Sequence, residues 1–162
     1  MEDLMICGIC GKEEMVEVVE PYHYTECGLS NIVLEGIRVR KCACCGNTMP
    51  MIPALSGLHH AIARDVIKKQ GNLEPSEIVF LRKFLGWSGV DFARNMHSTS
   101  SQVSKWESGK VRMSTPTELL LREMVARGKK IDDCHSYDIN HEETTVMHRR
   151  FQHLREGWKS AA

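Results

Sequence analysis

Two copies of the motif C-x-x-C-G constrain this chain more than any other feature. The first spans residues 7–11 (CGICG) and the second residues 42–46 (CACCG), with 31 residues between Cys10 and Cys42. Each motif places two thiolates on one side of a tight loop, and its final glycine lets the backbone curl beneath the sulfurs. Two such loops facing each other supply a tetrahedron of sulfurs, the closed coordination of structural zinc. We therefore predict one structural zinc ion per chain, bound by Cys7, Cys10, Cys42 and Cys45.

Three other interpretations of these cysteines compete with this one. Cys44 could replace Cys45 as the fourth ligand, but only Cys45 reproduces the spacing and the following glycine of the first motif. A thioredoxin-like redox pair would need a βαβ context, which the sequence does not indicate. Iron in the same four-cysteine frame, as in rubredoxins, stays open because tetrahedral thiolates suit both metals.

The segments around the cysteines have the patterns of β-strands. Residues 15–20 (MVEVVE) alternate, and residues 31–40 (NIVLEGIRVR) are rich in β-branched side chains, with Pro21, Gly28 and Gly36 expected at turns. These features predict a small β-rich zinc ribbon over residues 1–53. Its core is thin, so its folding should be coupled to metal binding.

The pattern changes to helices after the ribbon. Apolar residues recur at helical spacing from Leu55 to Val66, which predicts a linker helix within residues 54–70. The segment 70–74 (QGNLE) contains a glycine just beyond this helix, and we expect it to act as a hinge. The tail, residues 131–162, is treated as a C-terminal extension.

Residues 71–130 carry the start signals of several short helices. Pro75 opens one helix, and Ser88 with Asp91 three residues later caps another. The sequence TPTE at 115–118 has the pattern of a capping box for a further helix. Short helices joined by such short turns predict an all-α helix-turn-helix domain.

The sequence TSSQVSKWESGK has the features of one short amphipathic helix. Thr99 and Gln102 form the pattern of a capping box, and Gly109 is placed to end the helix in a left-handed conformation. Val103 and Trp106 supply a narrow apolar edge. The opposite face carries hydroxyls, an amide and a cation without acidic groups, which suits base edges in a DNA major groove. The predicted base-reading residues are Ser100, Ser101, Gln102 and Lys105.

Charge is distributed unevenly, although the formal net charge is zero. Residues 1–41 contain eight Asp and Glu against four Lys and Arg, whereas residues 82–112 contain six Lys and Arg against two acidic residues. A polyanion would be attracted to the second segment and repelled by the first. Glu107 would repel phosphate, so we expect it to pair with a basic residue of the fold. The predicted phosphate contacts are Arg82, Lys83, Arg94, Lys110 and Arg112.

The order of these motifs resembles a known family. Ser88-x4-Ala93 followed by VSKWESG at 103–109 is similar to the XRE/Cro-type helix-turn-helix. With the paired C-x-x-C-G motifs, the chain resembles the MqsA/YgiT class of antitoxin-like regulators over roughly residues 5–127. Two departures stand out: Gly89 replaces the Gln usual at the start of the second helix, and Ser101 and Lys105 stand where a member of the class has Asn and Arg.

This resemblance implies an α+β protein of two domains. A zinc ribbon that can bind a toxin precedes a lambda repressor-like domain, which dimerises and represses its own operon. Beyond the family pattern, the cysteine and histidines of the tail have irregular spacing, so we predict a solvated loop and a short helix over 144–158 rather than a second metal site. Phe151 and Trp158 are expected to pack this tail onto the fourth helix or onto a dimer partner.

The sequence thus predicts a homodimeric transcriptional regulator, a repressor that binds double-stranded operator DNA and is antitoxin-like. The alternatives are a regulator with no toxin partner and a four-cysteine iron protein for electron transfer. No paired carboxylates, nucleophile with a base or phosphate loop stand in a recognisable frame, so no enzymatic activity is expected. The N-terminus lacks a signal peptide, and no apolar run reaches the ~20 residues of a transmembrane helix, so we expect a cytoplasmic protein.

Overall fold

The computed structural model describes residues 6–12, 15–128, 146 and 148–161. Within these ranges the chain is α+β, with one five-stranded sheet and five helices. None of the described helices is long and apolar enough to cross a membrane. The strands are β1 (Met15–His23), β2 (Ile32–Cys42), β3 (Thr48–Met51), β4 (Arg149–Leu154) and β5 (Gly157–Ala161). The helices are α1 (Leu55–Lys68), α2 (Pro75–Phe84), α3 (Gly89–Asn95), α4 (Ser100–Glu107) and α5 (Thr115–Gly128).

Two compact units make up the fold. The first comprises Met1–Tyr24, Asn31–Leu58 and His148–Ala162, and the second comprises Thr25–Ser30 and His59–Met147. The sheet belongs to the first unit and α2 to α5 belong to the second, while α1 contributes residues to both. The domain limits inferred from the sequence stay predictions.

Strand β2 lies at the centre of the sheet. It pairs antiparallel with β1 along one edge. Its other edge is shared, because β3 pairs antiparallel with residues 38–41 and β4 pairs parallel with residues 32–35. Ile32, Leu34 and Val39 of β2 are fully buried. The strand predicted from β-branched residues therefore forms the core of this unit.

Pro21 and Gly36 lie within strands, so the expectation of turns at these residues was wrong. The register between β1 and β2 shifts between Glu20 and Tyr22, which leaves two residues of β2, Glu35 and Gly36, opposite Pro21. Gly36 has a φ of +68°. This arrangement is a β-bulge, which tolerates a proline because the ladder is already interrupted there.

The described part of the tail forms a β-hairpin, so the predicted helix over 144–158 was wrong. Period-two alternation buries Phe151 in β4 and Trp158 in β5, around a two-residue loop at 155–156. The indole Nε1 of Trp158 donates a hydrogen bond of 2.8 Å to the carbonyl oxygen of Pro53. The described part of the tail thus packs within the first unit, and the expectation that it packs onto a dimer partner stays a prediction.

Most helix starts agree with the sequence-based predictions. The helix predicted over 54–69 is α1, Pro75 is the first residue of α2, and Ser88 and Asp91 form a reciprocal capping box at α3. The prediction for α5 was wrong in detail. Its capping hydroxyl belongs to Ser114, which accepts a hydrogen bond from the N–H of Thr117. The carboxylate of Glu118 is buried inside the unit instead.

The segment expected to be a hinge is held by α5. Arg122 donates hydrogen bonds of 2.7–2.9 Å to three carbonyl oxygens at the end of α1 and just beyond it, those of Ile67, Lys69 and Gly71. Glu118 accepts a hydrogen bond of 3.1 Å from the N–H of Leu73. Asn72 is also buried. A segment bound at successive backbone groups cannot swing freely.

Candidate functional site

Four cysteine sulfurs of the first unit come together. The Sγ atoms of Cys7, Cys10, Cys42 and Cys45 all lie within 4.8 Å of one another. The distance is 3.7 Å between Cys7 and Cys45 and 3.6 Å between Cys10 and Cys42. Thiolates at about 2.3 Å from a tetrahedral zinc ion are about 3.8 Å apart. The four cysteines are therefore positioned to bind a metal ion.

A glycine shapes each cysteine loop. The N–H of Gly11 donates to the carbonyl oxygen of Cys7 at 2.8 Å, and the N–H of Gly46 donates to that of Cys42 at 3.0 Å. The φ angles of the two glycines are +64° and +70°. An added Cβ would meet no heavy atom within 4 Å at either position. The left-handed backbone, not a lack of space, therefore requires glycine here.

The sulfurs differ in how readily they ionise. The backbone N–H groups of Cys10 and Ile9 lower the pKa of Cys7 to about 6, and that of Lys12 lowers the pKa of Cys10. At Cys45 the N–H of Asn47 lowers the pKa, but burial and the other three sulfurs outweigh it and raise the pKa to about 12. Four adjacent thiolates need a cation to compensate their charge, and thiolates favour soft or borderline metals.

The other cysteines and histidines that the structure describes do not extend this centre. Cys44 is exposed, and Cys27 is half-buried, with burial raising the pKa of its thiol. Among the described residues, no other group of three or more potential ligands was found. Of the cysteine and histidines of the tail, Cys134, His135 and His141 lie outside the described ranges, so the expectation that the tail holds no second metal site stays a prediction there.

The second unit holds the residues predicted to contact DNA, on α2, α3, α4 and the segment that follows α4, and a tight turn joins α3 to α4. Helix α3 ends at Asn95 and α4 begins at Ser100. Within the turn His97 has a φ of +48°, and the N–H of Ser98 donates to the carbonyl oxygen of Ala93 at 2.8 Å. This pattern is a Schellman motif with histidine at the position that usually holds glycine.

The inner edge of α4 packs as the sequence predicted. Val103 and Trp106 are buried, and the rings of Trp106 and Phe92 meet edge to face at 6.4 Å. Gly109 ends the helix with a φ of +73°, and a Cβ there would lie 3.1 Å from the Cγ of Pro75. Packing thus fixes the rotation of α4 about its axis and decides which residues remain outside.

Three of the four predicted base-reading residues are exposed. Ser100, Ser101 and Lys105 lie on the outer face of α4, whereas Gln102 is half-buried. The N–H of Gln102 donates to the Oγ1 of Thr99 at 3.2 Å, which is the part of the capping box that involves the threonine side chain.

Arg82 differs from the other predicted phosphate contacts. Its Nε and Nη2 donate to the carboxylate of Glu107, and its Nη1 donates to the carbonyl oxygen of Trp87 at 2.9 Å. Its side chain is only 15% exposed. The prediction that Glu107 pairs with a basic residue is confirmed, and Arg82 is that residue. The other four basic side chains are exposed: Lys83, Arg94, Lys110 and Arg112.

An open groove of about 520 Å³ runs along one side of α4. Its walls include Val79 of α2, Gly89 and Val90 at the start of α3, and Ser100 and Ser104 of α4. Sequence reasoning singled out neither valine. The sequence signal for Val90 was an apolar residue two positions after the cap at Ser88, and the structure leaves its side chain 59% exposed.

Comparisons with known proteins do not identify the chain. No model of a known protein family matches the sequence, and a search of curated proteins finds no significant match. The resemblance to MqsA/YgiT regulators therefore stays a prediction from the motifs.

Proposed function

We propose that this protein is a sequence-specific transcriptional regulator that binds double-stranded operator DNA as a homodimer. The observation that carries the proposal is the pair α3 and α4, two short capped helices joined by a tight turn. The buried edge of α4 leaves a face of hydroxyls and one cation pointing outward. In a helix-turn-helix the second of two such helices enters the major groove. The two copies in a dimer would read half-sites about 34–36 Å apart.

The outer face of α4 would make the base contacts. Lys105 can donate to the O6 and N7 of guanine, and the hydroxyls of Ser100 and Ser101 can bond to several base edges. A good bidentate contact is worth about 1–3 kcal/mol of discrimination, but a lysine and two serines supply few such contacts. DNA shape is therefore expected to contribute to specificity. Gln102 is half-buried, so we expect it to contribute less to base contacts than the three exposed residues.

Phosphate contacts would supply much of the affinity. Lys83, Arg94, Lys110 and Arg112 are exposed and remain candidates. Arg82 is better assigned to the fold, because its guanidinium is already engaged by Glu107 and Trp87. Each phosphate that is neutralised releases counterions. A plot of the logarithm of the binding constant against the logarithm of the salt concentration should therefore have a slope of about −0.9 per phosphate contact.

The metal in the proposal is zinc, one structural ion per chain. Four thiolates without an open position suit a structural zinc site, and the surrounding core is small. Iron would bind the same donors and would favour the electron-transfer alternative. Elemental analysis of the purified protein, with its visible absorption spectrum, distinguishes the two: zinc gives a colourless protein and a four-cysteine iron site a red one.

The experiment that tests the proposal is selection of DNA from a pool of randomised duplexes by the full-length protein. We expect a roughly palindromic sequence to be enriched. Lys105→Ala should remove most of the preference for it over scrambled DNA while the melting temperature stays unchanged. Lys68→Ala, which removes an exposed cation from α1, is the matched control and should keep the preference. Failure to enrich any sequence would contradict the proposal.

One observation favours an additional, antitoxin-like role. Four large apolar side chains of the first unit are 58–75% exposed, those of Ile6, Ile9, Val16 and Val19. Such side chains are suited to a protein partner. A toxin encoded beside this chain, and retained by it during purification, would support autoregulation of a shared operon. Without such a neighbour, a regulator with no toxin partner is the better description. A cytoplasmic location is part of the proposal in either case.

A further inference from the structure

We propose that the groove beside α4 receives the 5-methyl group of one thymine, with Val90 as the residue that recognises it. The inference rests on the proposed function, because it assigns part of the DNA specificity to a residue outside α4. Its basis is the position, the chemistry and the charge of the groove walls.

Gly89 lines the groove and has no side chain. A Cβ at Gly89 would meet no heavy atom within 4 Å, and its φ lies outside the left-handed region. Larger residues would therefore fit at this position without backbone strain, and they would fill the mouth of the groove. Beside it, Val90 is 59% exposed at the first turn of α3. Two further apolar residues, Val79 and Val103, also line the groove.

The chemistry of the groove matches one feature of base pairs. Thymine is the only base that presents a methyl group in the major groove, next to its O4 acceptor. Val90 offers apolar surface for the methyl group, and the hydroxyls of Ser100 and Ser104 on the facing wall can donate to O4. Cytosine would place an amino group there and lose the apolar contact.

The charges around the groove permit a polyanion. Glu107 is the carboxylate among the residues that line it, and Arg82 is bound to that carboxylate. Asp91, on α3, accepts hydrogen bonds from the N–H and the hydroxyl of Ser88. On the same two helices, Arg94 and Lys105 are exposed cations. The groove therefore lies on a face that DNA can approach.

The test replaces thymine by uracil, which lacks only the methyl group. A duplex enriched by the full-length protein is resynthesised with single thymine-to-uracil changes, and binding is measured by fluorescence anisotropy. At one position in each half-site, uracil should weaken binding about fourfold, the factor expected for one buried methyl group. Val90→Ala should bind the thymine and uracil duplexes equally. Gly89→Leu, which fills the groove, should also lose the difference.

Leu119→Ala is the matched control, because Leu119 is an exposed apolar residue on α5, 41% accessible. This variant should keep the fourfold difference between thymine and uracil. If no duplex is enriched at all, the proposed function fails and this inference fails with it. If a duplex is bound but every uracil change is neutral, or if Val90→Ala still discriminates uracil from thymine, DNA binding stands and the assignment to Val90 is overturned. A selected site without thymine overturns it too.

Discussion

Glu118 and Arg122 form a fully buried ion pair one turn apart on α5, with Oε1 and Nη2 separated by 2.7 Å. Each side chain is 1% exposed. Four further hydrogen bonds of the pair go to the backbone between the end of α1 and Leu73. Two charges removed from water are thus compensated by each other and by the chain segment that they fix.

Breaking this pair should be strongly destabilising. Arg122→Met leaves the carboxylate of Glu118 buried without its cation and removes the donors to three carbonyl oxygens. We expect the free energy of unfolding of the helical unit to fall by about 3–5 kcal/mol in urea titrations. The control is Arg127→Met, which breaks the exposed pair between Arg127 and Glu123 on the same helix, 80% and 45% accessible. Its effect should stay within about 0.5 kcal/mol. Equal losses for the two variants would contradict a structural role specific to Arg122.

The same contacts set the smallest helical fragment that can fold. A fragment over 71–128 lacks two of the three carbonyl groups bound by Arg122, and it lacks Lys69, whose Nζ lies 3.1 Å from the carboxylate of Glu77 in a buried pair. It also lacks His59, which packs edge to face on Phe80. We expect that fragment to show no cooperative thermal transition by circular dichroism. A fragment over 54–128, which contains α1, should show one. A cooperative transition in the shorter fragment would mean that the contacts supplied by α1 and Lys69 are dispensable.

Local signals predicted the parts of this structure that depend on neighbouring residues. The two C-x-x-C-G loops are encoded by cysteine spacing and by glycines with positive φ, and the cap of α3 is encoded by Ser88 and Asp91. The roles of Arg82 and Arg122 were not predictable in this way, because Glu107 lies 25 residues from Arg82 and the three carbonyl groups bound by Arg122 lie 51 to 55 residues from it. The sequence alone does not distinguish an arginine that binds phosphate from one that binds a buried carboxylate. The place of β4 in the sheet was missed for the same reason, since β4 pairs with β2 across most of the chain.

Metal binding should depend on Cys42 and not on Cys44. Cys42→Ser removes one of the four clustered sulfurs, and among the described residues Met15 is the other buried member of the core cluster that contains Cys7 and Cys42. We expect the bound metal to fall from one ion per chain to none, with loss of a cooperative transition for the sheet. Cys44→Ser removes an exposed thiol two residues away and should retain the ion. Metal content is measured by plasma emission spectrometry. Retention of a full equivalent by Cys42→Ser would show that the ligand set is wrong.

Arg82 and Lys83 are adjacent in sequence but should differ in what they stabilise. Arg82→Ala breaks the hydrogen bonds to Glu107 and Trp87 and leaves a carboxylate that is 20% exposed without its cation. We expect a lower melting temperature, with a loss of about 1–3 kcal/mol. Lys83→Ala should leave the melting temperature unchanged and reduce the salt dependence of DNA binding by about one phosphate contact. The reverse pattern would return Arg82 to the phosphate contacts and exclude Lys83 from them.

His97 holds the turn between α3 and α4 in a conformation that favours glycine. A β-carbon at a φ of +48° costs roughly 1–2 kcal/mol, and glycine would remove this cost. The greater freedom of glycine in the unfolded chain offsets part of that gain. We therefore expect His97→Gly to raise the free energy of unfolding by about 0.5–1 kcal/mol, because the Schellman hydrogen bonds stay in place. Ser98→Gly, at a neighbouring residue without positive φ, should be neutral or destabilising. Thermal unfolding of the two full-length variants measures the difference. A less stable His97→Gly variant would show that the histidine side chain itself contributes to the turn, outweighing the backbone strain.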